Sequence, residues 1–272
     1  MITHLIFLLL SGVGTALPYL LRDKPLGYGW IPLLFLGCFV ALQLLQALTI
    51  PFLSLFLSKE QKPARPKAWV NAYIRMMMRW LMPLCNVRVV LKGREKMPKE
   101  ACVLVSNHRS MFDPMVILQA FPEREIVFVS KIENFRIPIA KKFFAHAGYL
   151  PIDRENAMKA MREIRRGIGM MQESHVDIGI YPEGTRSKTG ELLEFKAGAF
   201  LLAKKANAPV VIISTKNTGR IAKRMPFLHT RVELEVLEVL DVETVQVLSM
   251  DEISLRVRSD IEESLRKSSD VR

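Results

Sequence analysis

The stretch "ACVLVSNHRSMFDP", residues 101–114, joins a buried-strand pattern to the start of a helix. An apolar run of this length, bounded by polar residues, predicts a strand buried on both faces of a sheet. Pro114 suits the first position of a helix, because its φ is fixed near the helical value and no N–H is needed there. His108 is therefore expected at the carboxyl end of a strand, with Asp113 at the entrance to the next helix.

Similar apolar runs follow along the chain: "IVFVS" at 126–130, "DIGIY" at 177–181 and "PVVIIS" at 209–214. Between the second and third, residues 155–172 repeat apolar side chains at helical spacing. Apolar strands alternating with helices predict an α/β fold with a mostly parallel central sheet flanked by helices. "RVELEV" at 231–236 alternates apolar and acidic residues, which predicts a half-exposed edge strand. "SMDE" at 249–252 predicts a capping box that opens a terminal helix.

The N-terminal 57 residues predict a hydrophobic two-helix membrane anchor. Residues 1–21 have no Asp, Glu, Lys or Arg and only His4 as a histidine, and residues 25–58 are uncharged, so both stretches exceed the roughly 20 residues that cross a bilayer. A cleaved signal is the alternative, but "MITH" lacks a basic start. The short "RDKP" connector at 22–25 allows spanning or re-entrant helices.

Cations follow the second apolar segment at Lys59, Lys62, Arg65 and Lys67. By the positive-inside tendency they place the rest of the chain on the cytoplasmic side of the inner membrane. Residues 58–100 are expected to form a linker and an amphipathic helix over "WVNAYIRMMMRWLMP", residues 69–83, which lies at the membrane interface, packs on the domain, or does both. Residues 101–272 then form the α/β domain.

The chain is strongly basic: Lys+Arg 39 against Asp+Glu 27 gives a net charge of +12, with a pI near 9.8. Such a surface favours anionic partners, which include nucleic acid, an anionic membrane and phosphorylated substrates. Nucleic-acid binding predicts aromatic residues among cations on an exposed strand, whereas the aromatic residues here concentrate in the apolar segments and helices. A basic membrane-anchored protein that binds anions or nucleic acid is the alternative class, and we expect no nucleic-acid partner.

Polar residues follow each apolar run. His108 follows the first, Lys131 the second, residues 183–186 the third and Lys216 the fourth. The carboxyl ends of parallel strands share one sheet edge, where open α/β sheets bind ligands. The sequence therefore predicts one base candidate and several cations at a common site.

Asp113 has two interpretations at this stage. It caps the following helix through backbone N–H groups, or it accepts a hydrogen bond from His108 Nδ1–H and makes Nε2 a better base. No G-x-S-x-G elbow occurs, and Cys85 and Cys102 lack cationic neighbours in the sequence, so an internal nucleophile is unsupported. The remaining histidines are isolated, so no metal site is expected.

"YPEGTRSKTG", residues 181–190, predicts an anion-binding turn. Gly184 permits a sharp turn, and Arg186 and Lys188 supply donors. The spacing is not that of a P-loop. The alternative is a solvated turn with a Glu–Arg pair, and Lys131 is equally open to being an ordinary exposed lysine.

Several blocks together resemble the glycerolipid acyltransferase family. "NHRSMFD" at 107–113 is similar to its H-x-x-x-x-D motif, and "YPEGTRS" at 181–187 is similar to its E-G-T-R motif. Residues 131–154 and "APVVIIST" at 208–215 look like its second and fourth blocks. The resemblance spans about residues 100–215, in the expected order.

The resemblance implies acyl transfer from acyl-CoA or acyl carrier protein to the sn-2 hydroxyl of lysophosphatidic acid, with glycerol-3-phosphate or another lysophospholipid as alternative acceptors. His108 would be the base and Asp113 its orienter. No metal or organic cofactor is implied, and the expected partners are the phospholipid membrane and these substrates.

The same resemblance implies a phosphate site made by Lys131 and Arg186, with Arg154 as a weaker candidate. Glu183, Gly184 and Thr185 of the E-G-T-R block would shape this pocket. It also implies that the N-terminal helices keep the site at the bilayer surface.

Overall fold

The computed structural model of the protein describes residues 2–20, 28–58, 65–187 and 189–267. The expected connector 22–25, most of the linker 58–67 with Lys59 and Lys62, and the candidate donor Lys188 lie outside these residues. The chain divides into two compact units, Met1–Lys59 and Glu60–Arg272.

The first unit contains two apolar helices, α1 (Ile2–Leu20) and α2 (Ile31–Ser54). By length and composition α2 is sufficient to cross a bilayer, whereas the corresponding apolar part of α1, His4–Leu17, is shorter. The helices pack closely, since a Cβ added at Gly14 would come within 3.2 Å of Cys38 Sγ. The structure therefore has the expected pair of apolar helices.

The second unit is built on a sheet of seven strands in the order β1-β7-β6-β2-β5-β3-β4. The strands are β1 (Val87–Lys92), β2 (Val103–Ser106), β3 (Ile126–Lys131), β4 (Leu150–Ile152), β5 (Asp177–Ile180), β6 (Val210–Lys216) and β7 (Thr230–Leu240). Neighbouring strands are parallel except for the antiparallel pair β6 and β7. The four apolar runs form the consecutive strands β6, β2, β5 and β3, which confirms the predicted α/β sheet.

Helices flank this sheet. They are α3 (Ala68–Leu84), α4 (Asp113–Ala120), α5 (Pro138–His146), α6 (Ala157–Ser174), α7 (Leu201–Ala206), α8 (Ile221–Arg224), α9 (Val242–Val247) and α10 (Met250–Lys267). The predicted capping box is present before α10: Ser249 N–H donates to Glu252 Oε2 at 2.7 Å, and Glu252 N–H donates to Ser249 Oγ at 3.2 Å. Each partner therefore satisfies a backbone donor of the other at this helix start.

The prediction that residues 231–236 form an edge strand is wrong. They belong to β7, which lies between β1 and β6, and the edge strands of the sheet are β1 and β4. The acidic residues of β7 pair across the sheet surface, Glu233 with Lys92 at 3.4 Å and Glu235 with Lys216 at 3.9 Å. The alternation of apolar and acidic residues in β7 therefore reflects a strand with one polar face, and this strand has neighbours on both sides in the sheet.

The α/β unit begins earlier than the expected boundary at residue 101, because β1 lies within residues 58–100. Helix α3 precedes β1 and buries Tyr73, Met77 and Trp80, with the Tyr73 ring stacked on Phe143 at 5.6 Å. The expected packing of this helix on the domain is therefore present. Its Trp69 and Met76 remain exposed.

Candidate active site

The turn after β2 places His108 and Asp113 in direct contact. His108 Nδ1 lies 2.8 Å from Asp113 Oδ2, and the same oxygen accepts the backbone N–H groups of Arg109 and Ser110 at 2.7 Å each. An ionised carboxylate only accepts, so Nδ1 carries the proton of this bond and Nε2 is left with its lone pair. Three donors on one oxygen fix both the imidazole and the turn.

The helix-cap interpretation of Asp113 needs correction. Helix α4 begins at Asp113, so Pro114 is its second residue, and the carboxylate accepts from the turn before the helix and not from the N–H groups of its first turn. Asp113 is fully buried, with 0% exposure. Its side chain therefore holds a closed loop around His108, which agrees with the alternative in which it orients the imidazole.

Ser106 and Asn107, at the start of this turn, form hydrogen bonds to Thr215 of β6. The sequence did not indicate these bonds. Asn107 Nδ2 donates to the Thr215 carbonyl at 2.9 Å, and Thr215 N–H donates to Asn107 Oδ1 at 2.8 Å. The hydroxyls of Ser106 and Thr215 lie 3.0 Å apart. All three side chains are buried. The carboxyl ends of β2 and β6 are thereby locked together beneath His108.

Tyr181, at the end of β5, covers one face of the His108 ring. The two ring centroids are 4.3 Å apart at an interplanar angle of 20°, and Phe128 stacks behind Tyr181 at 6.0 Å. Burial raises the pKa of Tyr181 well above its usual value, and the charge of Asp113 adds to this effect. The phenol therefore stays neutral and acts as an apolar wall. Only its position after a strand adjacent to β2 could have suggested this contact.

Glu183 binds backbone groups and does not point a free carboxylate at the site. Its Oε1 accepts His108 N–H at 2.6 Å and its Oε2 accepts Leu193 N–H at 3.1 Å. Burial raises the pKa of Glu183, although these two hydrogen bonds act in the opposite direction. Glu183 therefore holds the His108 backbone beside residue 193, and its carboxylate is used by backbone donors.

Gly184 and Arg154 meet in the next part of the turn. Gly184 has φ 69°, a left-handed conformation that favours glycine, and the Arg154 guanidinium donates to its carbonyl oxygen. A Cβ at Gly184 would lie 2.7 Å from Arg154 Nη2. Arg154, expected as the weaker cation, is thus tied to the E-G-T-R turn through the backbone.

The remaining candidates differ in their surroundings. Thr185 and Arg186 are exposed on the same turn, and the next residue, Ser187, donates its N–H to the His108 carbonyl at 2.9 Å. Lys131 forms an ion pair with Glu133 at 3.0 Å, which offsets its charge. Lys216 was expected at this site and instead pairs with Glu235. The structure therefore joins His108, Asp113 and the 183–187 turn most directly.

The buried cysteines do not supply a nucleophile to this turn. Cys102 precedes β2, at the opposite end of the strand from His108, and its thiol contacts Asp177 Oδ1 at 3.4 Å. The expectation that Cys102 lacks a cationic neighbour is wrong, because Arg124 Nη2 lies 3.7 Å from its sulfur. Burial raises the pKa of Cys102 well above its ordinary value, and burial also raises that of Cys85. Both thiols therefore remain protonated and poorly nucleophilic.

Comparison with known proteins identifies a family and a fold. Residues 88–216 match the family model described as Acyltransferase. The 1-acyl-sn-glycerol-3-phosphate acyltransferase of Saccharomyces cerevisiae is 27% identical over 203 residues, which cover 73% of this chain and 66% of that protein. The human 1-acyl-sn-glycerol-3-phosphate acyltransferase beta is 33% identical over 141 residues, or 51% of this chain and 50% of that protein. The chain thus spans between half and about two thirds of these relatives.

A solved structure shares the fold. The crystal structure of the 1-acyl-sn-glycerophosphate (LPA) acyltransferase PlsC from Thermotoga maritima matches with a TM-score of 0.61 and 23% sequence identity. The match covers 82% of this chain and 88% of that chain. The architecture of sheet and flanking helices is therefore one already seen in a solved protein.

Proposed function

Because residues 88–216 of this chain form a domain of the acyltransferase family, we propose that the protein moves a fatty acyl group from an acyl thioester to the sn-2 hydroxyl of lysophosphatidic acid. The product is phosphatidic acid, so the reaction belongs to phospholipid biosynthesis. The observation that carries the proposal is the 2.8 Å contact between His108 Nδ1 and Asp113 Oδ2, which leaves Nε2 as a base. The names of the relatives supply the acceptor and donor classes.

In the proposed reaction, His108 Nε2 takes the proton of the acceptor hydroxyl as its oxygen attacks the thioester carbonyl. A C–O ester bond forms, the C–S bond breaks, and the imidazolium returns the proton to the departing sulfur, which leaves as a thiol. Asp113 stabilises the imidazolium in between. General-base assistance typically contributes ~10² to 10⁴ in rate, so positioning of both substrates must contribute much of the remainder.

The phosphate of the acceptor is proposed to bind at Arg186, with Arg154 and Lys131 as additional cations. Arg186 is the best placed by chain connectivity, because the adjacent Ser187 N–H is bonded to the His108 carbonyl at 2.9 Å. A guanidinium binds phosphate through two parallel N–H donors, which also orients the ligand. Thr185 lies exposed beside Arg186 and adds a hydroxyl donor.

We also propose that residues 1–57 anchor the protein in the inner membrane, with the α/β unit on the cytoplasmic side. Helix α2 has the length and composition of a membrane span. A single-chain lipid acceptor then reaches the site from the bilayer, while the thioester donor, acyl-CoA or acyl carrier protein, arrives from the cytoplasm.

The base assignment is tested by replacing His108 with alanine in the full-length protein. We expect His108→Ala to abolish acceptor-dependent thiol release, with the melting temperature changed little. His175→Asn is the matched control, because His175 is exposed at the end of α6 in a left-handed conformation that asparagine accepts. Robust turnover by His108→Ala would remove the histidine from the mechanism.

The substrate assignment is tested with a panel of acceptors and donors. Lysophosphatidic acid, glycerol-3-phosphate and lysophosphatidylcholine are each offered with acyl-CoA and with acyl-acyl carrier protein, and the lipid products are identified by mass spectrometry. We expect phosphatidic acid from lysophosphatidic acid to dominate. A higher kcat/KM for either other acceptor would correct the acceptor while leaving acyl transfer in place.

A further inference from the structure

The connection between β6 and β7, residues 217–229, carries an exposed apolar tip. Phe227 is 90% exposed, Leu228 56% and Met225 40%. Three large apolar side chains within four residues form a patch that water solvates poorly. We call residues 220–228 the tip loop.

The tip loop is held in place by its own hydrogen bonds and by a buried base. Ile221 has 0% exposure, and Leu228 N–H donates to the Arg224 carbonyl at 2.8 Å. The Arg224 guanidinium donates twice to the His229 carbonyl, at 3.1 and 2.9 Å. The apolar side chains are therefore presented to solvent by an ordered turn and not by a loose segment.

Cations occur in the same loop as the apolar tip. Arg220, Lys223 and Arg224 lie within the tip loop, and residues 217–229 contain no Asp or Glu. An apolar tip flanked by Lys and Arg complements the interface of an anionic bilayer, where the apolar side chains enter the acyl region and the cations meet lipid phosphates. A bilayer presents a dense layer of phosphate directly above an apolar layer, whereas a protein partner of ordinary surface composition does not.

The tip loop begins at the edge of the sheet that carries the candidate active site. A Cβ added at Gly219 would lie 3.8 Å from the Arg109 carbonyl oxygen, so the loop starts against the turn of His108. On that turn Met111 is itself 58% exposed. The tip loop and the His108 turn are far from the opposite end of the strands, where Leu240 at the end of β7 pairs with Val210 at the start of β6.

We propose that the tip loop is a lipid-contact site: Phe227 and Leu228 insert into an anionic phospholipid surface while Arg220 and Lys223 bind its phosphates. This contact turns the carboxyl edge of the sheet, and with it the His108 turn, toward the bilayer. It is additional to any anchoring by α1 and α2. Its benefit for turnover rests on the proposed function, whereas the membrane contact does not.

The contact is tested with an environment-sensitive fluorophore on single introduced cysteines in full-length protein reconstituted into vesicles. The test position is Phe227→Cys and the matched control is Val247→Cys, because Val247 is 84% exposed at the end of α9, which follows β7 at the opposite edge. Wild-type protein taken through the same labelling gives the background from its own cysteines. Vesicles contain phosphatidylcholine with a nitroxide on its acyl chain, with or without phosphatidylglycerol.

We expect strong nitroxide quenching and a blue-shifted emission at position 227, little of either at position 247, and a larger effect with phosphatidylglycerol. Arg220→Glu with Lys223→Glu should reduce the quenching at 227. Equal quenching at both positions overturns the proposal. The proposal is also overturned if lipid does not affect the label at position 227 but added acyl carrier protein shields it from an aqueous quencher. That result would make the tip loop a protein-docking site.

Turnover gives a second measurement. Phe227→Ser with Leu228→Ser should raise the apparent KM for vesicle-borne lysophosphatidic acid roughly three- to tenfold, and leave kcat/KM for a short-chain, monomeric acceptor unchanged. Val247→Ser should change neither. Equal losses on both acceptors would argue against a lipid contact. If no acyl transfer occurs in any variant, the proposed function fails while the quenching result still decides the lipid contact.

Discussion

Replacing Asp113 with asparagine separates the electrostatic role of this side chain from its structural role. In the structure, Asp113 Oδ2 accepts from His108 Nδ1 at 2.8 Å and from the N–H groups of Arg109 and Ser110 at 2.7 Å. Asparagine keeps an oxygen of the same position and size, so the three hydrogen bonds persist in neutral form. The negative charge beside the imidazole is lost.

The lost charge should affect kcat more than it affects the stability of the fold. An imidazolium and a carboxylate with charge centres roughly 4 Å apart attract each other by about 4 kcal/mol at an effective dielectric constant near 20. Since about 1.36 kcal/mol corresponds to a tenfold change in rate, Asp113→Asn should lower kcat by roughly 10³. Loss of charge assistance in the hydrogen bonds costs folding only about 1 to 3 kcal/mol.

The assay compares Asp113→Asn, His108→Ala and the double variant by thiol release at saturating donor and acceptor, with melting curves for each. If Asp113 acts through His108, the double variant should be no slower than His108→Ala alone. An Asp113→Asn variant that is folded at the assay temperature and retains activity within about threefold of wild type would refute the electrostatic role of Asp113. Additive losses in the double variant would show that Asp113 acts independently of the base.

Three further changes probe the walls of the same site. Tyr181→Leu should lower kcat roughly two- to tenfold, because His108 loses a stacked ring, while Tyr181→Phe should retain activity in the same thiol-release assay. The raised pKa of Glu183 means that the folded state holds this proton more tightly than the unfolded state, so the free energy of unfolding falls as pH rises from 4.5 toward the raised value. Glu183→Gln removes this decline, so in melting curves measured across this pH range the melting temperature of the variant should rise relative to wild type as pH increases. The lost hydrogen bond to Leu193 N–H lowers the stability of the variant at every pH and offsets part of this gain. Gly184→Ala should raise the KM for lysophosphatidic acid, because alanine costs about 1 to 2 kcal/mol at positive φ and the turn must shift; an unchanged KM would separate Gly184 from the phosphate site.

The sheet was predictable where burial acts on a whole strand. The four central strands read as unbroken apolar runs because helices or neighbouring strands cover them on all sides. Strands β1 and β4 were not predicted from the sequence, each for a different reason. β1 carries Arg88 and Lys92 among its apolar residues, and β4 is a three-residue strand that includes Pro151. Short or mixed edge strands lack the pattern that burial imposes.

The candidate site was predictable only where its contacts are local. His108 and Asp113 are five residues apart, so their pairing follows from a single turn. Asn107 and Thr215 are separated by 108 residues, and Tyr181 reaches His108 only because β5 lies beside β2. Side-chain contacts between strands depend on register, which the sequence pattern of one strand does not specify.

The structure divides the E-G-T-R turn into two parts that face different ways. Glu183 is buried and bonded to the His108 backbone, whereas Arg186 is exposed toward solvent. One short turn therefore connects the base to the proposed phosphate site through covalent backbone and a hydrogen bond of 2.6 Å. In the proposed reaction, a phosphate bound at Arg186 would therefore lie on the same turn that holds the His108 backbone. Positioning of this kind is what a reaction between a phospholipid hydroxyl and a thioester requires, because the residues supply only one proton-transfer group.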